Sequence, residues 1–90
     1  MTENWFLYIL ECKDKTLYTG ITKNLNKRIN QHAKGIGAKY TRGRGPFRLA
    51  YKIKYNNLNE ALKKEYEIKQ LTKLKKLELI NNNYYNLNKS

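Results

Sequence analysis

The stretch Trp5-Phe6-Leu7-Tyr8-Ile9-Leu10 limits the possible architectures more than any other part of this chain. Six consecutive apolar residues are too few for a buried helix, and their aromatic content suits a pleated surface. A strand that is apolar on both faces must be covered on both faces, which places it inside a layered structure. The remainder of a 90-residue chain has to supply that cover. So short a chain forms one domain around a modest core.

The other elements follow from pattern and punctuation. Lys13-Asp14-Lys15 is polar and turn-like, and Thr16-Leu17-Tyr18-Thr19-Gly20 reads as a second strand, so the pair forms a hairpin. Asn24 is placed to cap a helix from Leu25 to about Lys34, with Leu25, Ile29 and Ala33 on one side. Gly35 and Gly37 stop it, and residues 35–46 form a loop with four glycines and three cations in twelve positions. Phe47 to Tyr55 alternates, with Phe47, Leu49, Tyr51, Ile53 and Tyr55 expected inward and Arg48, Ala50, Lys52 and Lys54 outward. Asn57 or Asn59 caps a second helix from about Glu60 to Leu71, with an apolar stripe of Leu58, Ala61, Leu62 and Ile68. Thr72 caps a third helix to about Ile80, with Leu74, Leu77 and Leu79 or Ile80 inward. The domain is assigned to residues 1–80, and 81–90 reads as a frayed polar tail. The expected order is β-β-α-β-α-α, an α/β (α+β) fold with a three-stranded, mainly antiparallel sheet, its first strand central and three helices flanking it.

Charge restricts the partners. Nineteen Lys and Arg stand against seven Asp and Glu, a formal net charge of +12. Positive potential of that density attracts polyanions, of which nucleic acid is the commonest. The lone Cys12 cannot form an internal disulfide, which fits a reducing cytoplasm, and one Cys with one His cannot make a zinc site. The longest apolar run has six residues, too short for a signal peptide or a membrane span.

Several side chains exceed what a plain fold requires. Arg28 and His32 are four apart and stack beside Leu25 and Ile29 at the inward side of the first helix. A snorkelling Arg and a boundary His explain them structurally; a phosphate-binding guanidinium and a proton-handling imidazole explain them functionally. Glu65 falls in the apolar stripe of the second helix, where a carboxylate needs a cation, either a basic side chain such as Arg28 or a metal ion. Tyr8 and Tyr18 project from one sheet face if their strands pair. Such a set contains what phosphodiester hydrolysis needs: a group to handle the attacking water, a cation on the phosphate, and a metal ligand.

The ordered set resembles the GIY-YIG nuclease superfamily. Phe6-Leu7-Tyr8 stands where that family has Gly-Ile-Tyr, and Tyr18-Thr19-Gly20 where it has Tyr-Ile-Gly. Arg28 follows Gly20 by eight residues, His32 follows Arg28 by four, and Glu65 sits in Ala61-Leu62-Lys63-Lys64-Glu65-Tyr66. Gly37 to Gly45 is similar to the loop of the small stand-alone bacterial YhbQ-like branch. The first motif lacks its glycine, and Ile21 occupies a place where some members carry Lys, with Lys23 nearby. The resemblance implies a DNA-directed endonuclease that uses one Mg²⁺ or Mn²⁺. Tyr18 would orient or deprotonate water, with Tyr8 or His32 assisting. Arg28 would bind the scissile phosphate, and Glu65 would be the only protein ligand of the metal. Lys23, Lys27, Lys39, Arg42 and Arg44 are candidates for backbone contact, and DNA is favoured over RNA. Two other readings remain open at this point: a basic DNA- or RNA-binding module with weak or no catalysis, and a protein-interaction or RNA-associated role.

Overall fold

The central position of the first strand follows from its composition. In the computed structural model, which describes residues 4–89 and side chains through 82, β1 (Trp5–Glu11) lies between β2 (Leu17–Thr22) and β3 (Arg48–Tyr55), antiparallel to both. Alternation then sorts its residues. Leu7 and Ile9 lie with Thr19 and Ile21 of β2 and with Tyr51 and Ile53 of β3 on one face. Ile68 of α2 (Leu58–Lys69) and Ile80 of α3 (Lys73–Lys89) bury that face. Tyr8 and Leu10 point the other way, toward α1 (Leu25–Ala33) and the long 34–47 segment.

Each helix begins where a side-chain cap was expected. Asn24 Oδ1 accepts from Lys27 N at 3.1 Å, Asn57 Oδ1 from Glu60 N at 2.8 Å, and Thr72 Oγ1 from Lys75 N at 3.2 Å. The element order β-β-α-β-α-α holds.

Three details differ from the sequence pattern. The β1–β3 register shifts between Ile9 and Leu10, so Leu10 faces Leu49 while Ile9 faces Tyr51. Ala50 is the extra residue of this bulge and packs on the core, leaving Leu49 exposed, the reverse of simple alternation. Leu62 and Leu74 are exposed, because α2 turns only Ala61 and Ile68 fully inward and α3 is held mainly through Ile80. Finally, α3 continues to Lys89, beyond the end expected near Ile80.

Candidate active site

The register of the hairpin assembles the first part of the site. Tyr8 pairs across from Gly20, which puts Tyr18, two residues earlier, on the same face. The Tyr8 and Tyr18 rings are 6.3 Å apart. A side chain at position 20 would meet the phenol, since an added Cβ would stand 2.6 Å from Tyr8 Oη. The glycine of the second motif thus makes room for the tyrosine of the first.

Helix α1 supplies the next residue. His32 is 1% exposed, and its Nε2 lies 2.8 Å from the hydroxyl of Tyr8, itself 0% exposed. On its other side His32 Nδ1 lies 2.7 Å from Thr41 Oγ1, and the Thr41 hydroxyl donates to Ala38 O at 3.0 Å. Counting donors fixes the tautomer. The one hydroxyl proton of Thr41 is spent on the carbonyl, so its oxygen accepts from Nδ1–H. Nε2 is then bare and accepts from the Tyr8 O–H. Burial, and secondarily the Arg28 charge, hold His32 below the ordinary imidazole value of 6.5, which keeps it neutral. His32 is therefore a fully committed part of a buried chain, Tyr8 to His32 to Thr41 to Ala38, rather than a residue at the boundary.

The loop closes around this chain. Gly37 is pressed against the His32 ring, leaving no space for a Cβ. Tyr40 stacks on Tyr18 at 5.7 Å, Tyr18 meets His32 edge-on at 5.2 Å, and Phe47 meets His32 edge-on at 6.2 Å. Arg44 covers Tyr40 at 4.6 Å, donates to Tyr40 O at 2.8 Å and pairs with Asp14 in the β1–β2 turn. Lys13 N also donates to Arg44 O at 2.9 Å. Arg44, a candidate for nucleic-acid contact, is thus engaged within the fold. Lys39 and Arg42 stand exposed on the same loop.

Arg28 and Glu65 bring charge to the Tyr8 phenol. Burial pushes the Tyr8 phenol above its ordinary 10.0, the Arg28 guanidinium draws it down, and the charges of Tyr18 and Glu65 push it up. Arg28 and Glu65 are therefore both felt at Tyr8. Arg28 Nη1 donates to Gln31 Oε1 at 3.2 Å. The Glu65 side chain is 19% exposed, with Lys69 Nζ at 3.5 Å as its ion-pair partner. Arg28 also borders a cavity of about 400 Å³ that Lys23 and Lys27 line.

The donor set limits the metal. Among the described residues no three His, Cys, Asp or Glu side chains gather into a metal-binding cluster. Glu65 alone, half-buried and paired with a lysine, suits a hard cation that keeps most of its water and takes further ligands from a phosphate; it does not suit a zinc cage.

Sequence reasoning singled out Tyr8, Tyr18, Arg28, His32 and Glu65 as candidates, but not Thr41, Gly37, Tyr40 or Asp14. The partners of Thr41 and Asp14 lie nine and thirty positions away along the chain, across a loop without periodicity. The one available sign was the density of glycine and aromatic residues between 35 and 47.

The family model of the GIY-YIG catalytic domain matches residues 4–78. The chain is 54% identical over 80 residues to UPF0213 protein OB0043 of Oceanobacillus iheyensis, covering 89% of this chain and 93% of that one. It is 57% identical over 75 residues to UPF0213 protein CPE1444 of Clostridium perfringens, covering 83% and 81%. Among solved structures it resembles the solution structure of UPF0213 protein BH0048 from Bacillus halodurans, at 51% identity and TM-score 0.59 over 87% of this chain and 83% of that one. It also resembles that of EF2693 from E. faecalis, at 31% identity and TM-score 0.64 over 93% and 92%. With its two tyrosine motifs on paired strands and its Arg, His and Glu in family order, the chain belongs to the GIY-YIG family of nuclease-type domains, alongside the small UPF0213 proteins.

Proposed function

We propose that this protein is a metal-dependent phosphodiesterase that cuts nucleic acid, DNA ahead of RNA, at the site built by Tyr18, Arg28 and Glu65. One observation carries the reading: a partly exposed phenol and a guanidinium are held beside a buried, fully hydrogen-bonded Tyr8–His32–Thr41 chain. A binding surface has no need of such a device.

The roles follow from access. Tyr8 is closed to solvent and its proton is directed to His32, so it supports the site from beneath. Tyr18 is the phenol that can meet water, and it orients the attacking molecule. Arg28 binds the phosphate and stabilises the charge that builds on its oxygens as the water oxygen joins phosphorus and the ester oxygen departs. Glu65 is the residue that would hold Mg²⁺ or Mn²⁺. When bound, that ion polarises the phosphate and eases departure of the leaving oxygen. Lys39 and Arg42 supply backbone contacts from the loop.

The test is cleavage of single-stranded, duplex and branched DNA and RNA with Mg²⁺ or Mn²⁺. Arg28→Ala should lower the rate by about 10²–10³ at unchanged fold, and Tyr18→Phe and Glu65→Ala should lower it comparably. Binding by every form with cleavage by none would leave a basic binding module as the function.

A further inference from the structure

We infer that the cavity between the start of β1 and the outer side of α1 is a subsite for one unpaired nucleotide next to the cut phosphate, with the base laid on Trp5. The inference rests on the nuclease reading, because Arg28 is what joins the two places. Arg28 acts on the Tyr8 phenol and also lines this cavity. A phosphate held by Arg28 places its neighbouring nucleoside in that cavity.

The lining suits that occupant. Its volume is about 400 Å³, in the lower part of the ~300–1,000 Å³ range of small-ligand sites, enough for about one nucleotide. Trp5 forms one wall, part-exposed, with Lys23 Nζ 5.2 Å from its ring centre. Lys27, Arg28 and Gln31 form the other wall. Lys27 and Gln31 are one helical turn apart and lie on the same face of α1. Among the described residues the lining holds three cations and no acid, the pattern expected where a sugar-phosphate chain passes. An indole beside those cations is the usual platform for a base in single-stranded binding, where stacking tolerates any sequence. Gln31 accepts from Arg28 through Oε1, which leaves its amide N–H groups to meet acceptors on a base edge. A base stacked inside a duplex presents no free face to an indole, so the occupant is a single strand or a splayed end.

Trp5 is the only tryptophan in the chain, so indole emission has a single source, and that source lines this cavity. The test titrates the intact protein, without added metal, with oligo-dT, oligo-rU and a blunt DNA duplex, reading indole emission and, separately, the anisotropy of a labelled oligonucleotide. The expected result is saturable quenching by the single strands and little by the duplex, and a loss of about tenfold in single-strand affinity for Trp5→Leu, largely restored in Trp5→Phe. Unchanged emission while the labelled strand binds overturns the subsite. Equal quenching by duplex overturns the choice of an unpaired occupant. Saturable quenching without cleavage under any metal condition keeps the subsite and rejects the nuclease. Cleavage with an undisturbed indole does the reverse. The emission readout needs no variant, so a folding defect in Trp5→Leu does not remove the test. The difference between dT and rU tells whether a 2′-hydroxyl is accepted.

Discussion

Thr41 shows how one hydroxyl can decide the state of a site. Its proton goes to Ala38 O, and this obliges His32 to carry its own proton on Nδ1. His32 is the only histidine in the chain, so ¹⁵N-histidine labelling gives a single imidazole to follow. Two-bond ¹H–¹⁵N correlations should show the Nδ1–H form in the native protein and in Thr41→Ser. Thr41→Val should mix or reverse the tautomers, and the unpaired Nδ1–H should cost ~1–3 kcal/mol of stability. An Nε2–H signal in the native protein would contradict the assignment. Acid should act through the same ring. The folded state holds His32 below 6.5, so the unfolded chain binds the proton more readily between the folded value and 6.5. The neutral ring's contribution is complete above 6.5 and declines as pH falls below it. Melting temperature should therefore drop between pH 7 and pH 5, and His32→Gln should flatten that drop. Glu11 and Asp14, whose carboxyls are held low chiefly by hydrogen bonds from Arg48 and Thr16 respectively, contribute only nearer pH 4.

At the scale of elements, the hairpin and helix α1 were legible and the connection between them and β3 was not. The short apolar run fixed β1, the Tyr-Thr-Gly spacing fixed its partner, and Asn24 marked where α1 starts. Periodicity said nothing of residues 35–46, because a loop is organised by individual contacts. It is held to the hairpin by Arg44 on Asp14, by the Tyr40–Tyr18 stack and by Thr41 on His32. The β3 bulge was invisible for a related reason, since alternation assumes an even ladder and Ala50 interrupts it. Asp14→Ala should therefore loosen the loop without unfolding the sheet. Limited proteolysis should cut after Lys39 or Arg42 several-fold faster in that variant, while the melting temperature shifts by only a few degrees, as expected for an exposed ion pair. An unchanged cutting rate would mean that the aromatic stack alone secures the loop.

Across the whole molecule, charge and fold divide the work. The net charge of +12 sets attraction to polyanions, whereas the paired motifs set where chemistry could occur. Not every cation is available for the first task, since Arg44 is consumed in holding the loop. Affinity for duplex DNA should fall steeply with salt. The double substitution Lys39→Gln with Arg42→Gln should reduce the log–log slope by roughly two, at ~0.9 per lost contact. A slope that stays put would move the contact surface away from the loop.

The position of β3 has one more consequence. It ends the sheet, so one side of its backbone is open to pairing with a foreign strand. Lys52 and Lys54 stand exposed at alternate positions along that strand. If two such margins approached antiparallel, ammonium groups would confront ammonium groups. The same residues that help draw in polyanions thus act as a built-in deterrent to fibril-like stacking.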